Sequence, residues 1–186
     1  MSTDARTSSA ARVVPRVLGE QVGADLTRHL ATYGALPAAP RVRRGHVGPL
    51  VDVVDRSGLA GRGGGWFPTG RKMHAVASAA RQARRAPVVV VNAMEGEPAA
   101  SKDAVLVHRN PHLVLDGAVL AAQSLGADAV HVAAHRGSRA LVDLDRALEQ
   151  RHDPVEIRLV DPPARYVASE ESALAHYVGD GIALPV

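Results

Sequence analysis

The chain contains no cysteine. Disulfides, zinc–thiolate sites and cysteine-held iron–sulfur clusters are thereby excluded from it, and any redox chemistry has to use a bound cofactor. Aromatic residues are scarce: one Trp, one Phe and three Tyr make up 3% of 186 residues. That leaves few platforms for stacking bases and a core to be built from Ala, Val and Leu. A dominant charge is missing as well. The 22 Lys and Arg are nearly balanced by 19 Asp and Glu, for a net +3, and the basic residues are scattered. Without a nucleic-acid-binding motif, that charge argues against DNA or RNA as a partner. No run of about twenty apolar residues is available to span a bilayer. Met1 to Arg12 is polar and lacks the apolar stretch of a secretory signal. A soluble, cytoplasmic protein is expected. With 46% hydrophobic residues, the length suits one domain and a small N-terminal appendage.

What the chain has in excess is glycine, concentrated in one place. Residues 58–72 read GLAGRGGGWFPTGRK, with Gly58, Gly61, Gly63, Gly64, Gly65 and Gly70 inside thirteen residues. Such a segment leaves backbone N–H groups unshielded and turns readily through positive φ. A loop that cradles phosphate needs those properties. Arg62, Arg71 and Lys72 add positive charge, and a helix is expected over 71–85. A plain linker would be a Gly/Ser mixture without Trp66, Phe67 and Pro68. The spacing matches neither the Walker A loop nor the dinucleotide fingerprint.

Around this loop the pattern alternates. Residues 1–12 read as a disordered tail, and 13–47 as an N-terminal helical segment with a helix over 16–33 and a loop over 41–48. A short helix is expected over 49–57. The run PVVVVN at 87–92 reads as a strand covered on both faces. Residues 111–125 form a helix with Pro111 near its start and Gly126 past its end. A second buried strand falls at 128–134, an amphipathic helix at 138–151, an edge strand at 154–160 and a short helix at 170–178. Strands separated by helices of this length predict an α/β fold: a three-layer, mainly parallel, Rossmann-like sheet with βαβ crossovers. Ligands in such sheets sit outside the strands' carboxyl ends, which points to the residues after Val91, Ala134 and Val160.

Directly after the first expected strand comes Asn92-Ala93-Met94-Glu95-Gly96-Glu97-Pro98. Asn92 offers a donor and an acceptor suited to the edge of a heteroaromatic ring. Glu95 and Glu97 suit ribityl or ribose hydroxyls or a carboxamide. Taken alone, the pair also reads as a solvated turn. Glu170 and Glu171 open the last helix, where carboxylates favour the helix dipole, with Ser169 expected as N-cap. Lys102-Asp103 reads as a loop leading into a helix. The nine histidines show no metal-ligand spacing, and no serine nucleophile motif is present.

These motifs, in this order, resemble one family. The loop from Gly58 to Lys72, Val90-Val91-Asn92 with Glu95-Gly96-Glu97-Pro98, Lys102-Asp103, Pro111-His112, and Tyr166 with Glu170-Glu171-Ser172-Ala173-Leu174 are similar to the flavoprotein (F) subunit of NADH:quinone oxidoreductase, complex I. Related NAD-dependent hydrogenases and formate dehydrogenases share the module. The resemblance covers roughly 48–178 and assigns 48–186 to an FMN-binding α/β module. It implies FMN as cofactor, NADH or NADPH as electron donor, and an iron–sulfur or other acceptor subunit as partner. By position, Gly61, Arg62, Gly63, Gly64 and Lys72 would hold the phosphate side of FMN. Asn92 and Glu95 would contact the flavin or its ribityl chain. Phe67 and Glu97 would place NADH, and Tyr166, Glu170 and Glu171 would line the opposite wall. No side chain is required as a proton-transfer catalyst.

The sequence departs from the family at Trp66, Met73, Ala75, Met94 and Ser169. It also stops at Val186, without the family's Asn- and Thr-rich return segment, ubiquitin-like domain or four-cysteine domain, so either a truncated module or one whose site another chain completes is expected. A non-catalytic α/β subunit that has lost flavin binding is the alternative expectation.

Overall fold

The computed structural model describes residues 17–19, 21–40, 42–61, 65–97, 99–163, 166–182 and 184–185. The side chains of Tyr166 and Val167 lie outside that description. The expected tail at 1–12 does too.

Three strands, β1 (Val89–Asn92), β2 (Ala129–Ala133) and β3 (Glu156–Val160), form a parallel sheet in the order β1-β2-β3. Val91 pairs with Val132, and Val132 with Leu159. Two helices, α4 (Lys102–Arg109) and α5 (Pro111–Leu125), join β1 to β2, and α6 (Arg139–Leu148) joins β2 to β3. Right-handed crossovers that step the same way across a sheet put their helices on one face. The main core shows this. Val89, Val91, Val130, Val132, Ile157 and Leu159 point from the sheet at Val107, Leu115, Ala118, Ala122, Leu144 and Ala147. The alternate residues Val90, Ala133 and Val160 meet Met94, Ala168 and Leu174 on the other face. That second layer comes from a 3-10 turn (Tyr166–Ser169) and α7 (Glu171–Asp180).

The crossover helices follow from local chemistry. Pro111 stands in the first turn of α5, where its missing N–H costs nothing. Gly126 ends the helix at φ +67°, and a Cβ there would lie 2.7 Å from the Val42 carbonyl oxygen. Leu115, Ala118, Ala122 and Leu125 then face the core at helical spacing. Full burial of Leu115 alone is worth about 2 kcal/mol. The Ser138 hydroxyl caps α6 by accepting from the Leu141 amide at 3.2 Å. Small residues on α5 and α6 let helices and sheet approach closely, so a core with few aromatics closes.

Two expectations need correction. The helix placed at 16–33 begins only at Leu26, so α1 is Leu26–Tyr33, capped by Asp25. Val17 and Leu18 are exposed, so no buried face carries the helix further back. The valine run, expected to be covered on both faces, forms an edge strand in which Val89, Val90 and Val91 are only partly buried. The central strand is β2, with Val130 and Val132 fully buried. The segment from Lys102, read only as a helix start, is the full helix α4.

α2 (Pro49–Arg56) and α3 (Thr69–Ala83) pack on each other and on α5. The α2–α3 contact is close: a Cβ on Gly70 would lie 2.5 Å from the Asp55 Cα. This contact fixes the start of α3, and with it the glycine loop between the two helices.

Candidate functional site

The glycine loop is drawn closed at its base. Ala60 and Pro68 form an antiparallel bridge, the Gly61 amide donates to the Phe67 carbonyl at 3.0 Å, and the Thr69 amide donates to that of Leu59 at 2.8 Å. Gly58 enters at φ +68°, a conformation other residues adopt only with strain. Arg62, Gly63 and Gly64 lie outside the described residues. The Gly61 amide is thus spent within the loop. Around Gly65 there is open space where a Cβ would project.

Beside the loop lies a cleft of about 830 Å³, lined by Gly61, Gly65, Trp66, Phe67, Lys72 and Glu171 among others. Its size falls within the usual range for small-molecule and cofactor sites, roughly 300–1,000 Å³. Trp66, at φ +43°, and Phe67 are 61% and 55% exposed and present apolar ring surface to it. Trp66 stands in the wall and leaves the volume open. Ala75, on α3, keeps the adjoining wall low. The floor is the first turn of α3, which no side chain caps. An uncapped helix start beside a lysine is a ready anion site. Across the cleft the Lys72 ammonium reaches the Glu171 carboxylate of α7 at 3.4 Å.

The acidic loop after β1 is tied to its surroundings. Asn92 accepts the Met94 N–H on Oδ1 at 3.1 Å and donates from Nδ2 to the Ser169 carbonyl at 2.8 Å. It therefore links the end of β1 to the start of α7. Glu95 accepts the Asp103 N–H at 2.9 Å, closing the first turn of α4. Met94 is 3% exposed and packs with Ala133, Ala168 and Leu174, so this departure from the family pattern fills the core. Glu97 is exposed.

The N-cap of α7 is Glu170, in place of the expected Ser169. One Glu170 oxygen accepts from the Ser172 hydroxyl at 2.5 Å and from the amides of Ser172 and Ala173 at 2.9 and 3.1 Å. The Ser172 hydroxyl bond, helped by those two amides, holds this carboxyl below the usual range. At the ends of β2 and β3, Arg136 Nε donates to Asp161 at 2.8 Å. That bond pulls the Asp161 carboxyl down and pushes the Arg136 guanidinium up.

Of the residues singled out in the sequence, Gly61, Phe67, Lys72 and Glu171 meet at the cleft. Asn92, Glu95, Glu97 and Glu170 do not line it. Asn92 adjoins it through Ser169, and the side chain of Tyr166 lies outside the described residues. Reading the sequence missed Thr69 and Val76 as lining residues. Their signal was weak, because it lay in the helix phase of α3 and in no motif. It also assigned no role to His135, although this is the first residue that the strand-end rule marks after Ala134. Among the described residues no group of His, Asp and Glu is arranged to hold a metal, and no helix is long and apolar enough to cross a membrane.

A three-stranded parallel sheet with a glycine loop and an open cleft near its carboxyl ends defines an α/β nucleotide-binding type of module. The chain belongs to the Nuo51 FMN-binding domain family, whose model matches residues 54–185. It is 35% identical over 106 residues to the second F subunit of the NADH-quinone oxidoreductases of Rhizobium meliloti (strain 1021), covering 56% of this chain and 24% of that protein. It is 36% identical over 83 residues to the F subunit of NADH-quinone oxidoreductase of Aquifex aeolicus (strain VF5), covering 45% and 18%. Among solved structures, an NAD+-reducing [NiFe]-hydrogenase in the H2-reduced state superposes with a TM-score of 0.62 at 31% identity. The superposition covers 74% of this chain and 24% of that one. The aligned part thus spans a quarter or less of the length of these relatives.

Proposed function

We propose that this chain is the flavin-holding part of an NADH oxidoreductase, receiving electrons from NADH and passing them to an acceptor on another polypeptide. The observation that carries the reading is the 830 Å³ cleft, where an uncapped helix start and Lys72 lie beside two exposed aromatic rings. Phosphate and a flat ring system need those two surfaces together. The residues present fit FMN: Gly65 leaves room where a Cβ would project, and Trp66 leaves the cleft open. When bound, FMN supplies the redox chemistry, taking a hydride from NADH and releasing electrons singly.

The protein's work is to bind and orient. Lys72 and the amides at the start of α3, together with Arg62, Gly63 and Gly64, neutralise the phosphate. Phe67 and Trp66 cover the rings and exclude water. Glu171 faces Lys72 and is displaced from it when an anion enters. Asn92 and Glu170 act one step back, since their polar atoms fix the wall formed by α7. Glu97 presents its carboxylate at the β1 end for the donor's carboxamide and ribose hydroxyls, while Glu95, held on the Asp103 amide, supports the loop that carries it. The proposed acceptor is an iron–sulfur or similar subunit; the 186 residues of this chain contain no cysteine for a cluster of their own. A cytoplasmic site of action accords with an NADH donor.

The test is uptake of flavin by the purified protein, followed by tryptophan and flavin fluorescence. FMN binds and riboflavin binds at least tenfold more weakly, because riboflavin lacks the phosphate. Lys72→Ala removes most of that preference. Equal binding of FMN and riboflavin, or binding of neither, contradicts the proposal.

A further inference from the structure

His135 follows the last residues of β2, on the side of the sheet end where the acidic loop runs. Its Nε2 lies 3.2 Å from the Glu95 carbonyl oxygen. A carbonyl only accepts, so Nε2 carries the proton, and Nδ1 is left with a lone pair. That Nδ1 is buried and has no partner among the described residues. An unpaired buried acceptor is costly, and an apolar residue at the same place would avoid that cost. What the imidazole obtains in return is its hold on the loop.

The hold falls between the loop's other fixed points. Ala93 is anchored to β2 by its amide on the Ala133 carbonyl at 2.9 Å, and the Glu95 carboxylate is anchored on α4. Between those anchors, the plane of the Glu95–Gly96 peptide is set by the bond from His135. Gly96 has no side chain to restrict it, so this plane and the Ala100 amide, which donates to the Glu97 carbonyl at 3.0 Å, together set the direction in which Glu97 leaves. The base of His135 is itself firm: the Ala134 amide donates to the Val160 carbonyl at 3.2 Å, and the Ser138 amide donates to the His135 carbonyl at 3.0 Å.

We infer that His135 is a positioning residue, acting through the Glu95 carbonyl to hold the Glu95–Glu97 loop in the orientation that receives the electron donor. This inference rests on the function proposed above. The chemistry it serves is recognition of the donor's carboxamide and hydroxyl groups by Glu97, so its loss shows in substrate binding rather than in the redox step.

Three variants separate the role from simple packing. His135→Leu keeps the bulk and removes the donor. His135→Gln restores an amide nitrogen at about the reach of Nε2. His135→Asn is polar but its nitrogen stops near the Nδ1 position. In ligand-free protein, His135→Leu and His135→Asn speed hydrogen exchange at the Met94 and Asp103 amides about tenfold, as loss of one net hydrogen bond requires. His135→Gln leaves exchange near the wild-type rate. In FMN-loaded protein with ferricyanide as acceptor, the same two variants raise KM for NADH about tenfold with kcat within twofold, and His135→Gln restores KM. Unchanged exchange in both His135→Leu and His135→Asn overturns the inference, as does failure of His135→Gln to rescue. A fall in kcat at constant KM also overturns it. If wild-type protein takes up no FMN, the functional proposal fails, and the exchange measurements still decide whether His135 holds the loop.

Discussion

At the scale of single residues, the polar side chains near the cleft divide by whether their polar atoms are already engaged. Asn92 and Glu170 are bonded within the protein, whereas Lys72 and Glu171 meet in a long, exposed pair that an incoming anion displaces at little cost. Farther off, His112 is fully buried beside His29 and Arg151. Burial pushes its imidazole below the ordinary value of 6.5, and the Arg151 and His29 charges add to this against the Ala24 carbonyl. The unfolded chain therefore binds a proton near pH 6.5 that the folded chain refuses until lower pH. Stability is complete above pH 6.5 and falls as pH drops below it. Thermal midpoints measured from pH 8 to pH 5 decline over this window, and His112→Leu flattens the decline. Which residues do chemistry was only partly legible in the sequence. The motif Asn92 to Glu97 announced a site, but the hydrogen bonds that absorb Asn92 and Glu95 depend on Ser169 and Asp103, whose positions only the fold supplies.

At the scale of elements, the glycine loop depends on the packing of α2 against α3. Gly70 allows the two backbones to touch, with Asp55 in the space of a Cβ. Gly70→Ala overpacks the contact and destabilises the protein by about 1–3 kcal/mol in urea unfolding. It also weakens FMN uptake, since the start of α3 moves with the loop. Gly65→Ala meets open space and leaves stability nearly unchanged. The contrast between these two glycines was not visible in the sequence, where both belong to one run. Helices with clear end signals, α5 with Pro111 and Gly126 above all, were legible to the residue. The β1 run misled because four consecutive β-branched residues describe a strand's chemistry and not its place in the sheet. Strand order sets that place, and β1 stands at an edge.

At the scale of the molecule, a charged cluster joins α1 of the N-terminal segment to the rest of the fold, beside backbone bonds such as those from the Val22 and Gly23 amides to the Arg109 carbonyl. Arg151, 7% exposed, donates to Asp153 from Nε and Nη2 at 2.7 Å, to Asp116 from Nη2 at 2.8 Å and to the His112 carbonyl from Nη1 at 3.2 Å. Asp116 also holds His29 of α1 at 2.8 Å. Arg151→Met strands two carboxylates and costs about 3 kcal/mol, read as a lower denaturant midpoint at unchanged slope. The glycine loop and cleft lie outside this cluster, so the FMN affinity of the folded variant stays at the wild-type value. The central claim concerns the cleft. Its most direct test is anaerobic titration of the FMN-loaded protein with NADH, followed by the flavin's visible absorbance. The account predicts that about one equivalent of NADH bleaches the yellow colour and that oxygen restores it. Flavin that stays bound and yellow under excess NADH would contradict it.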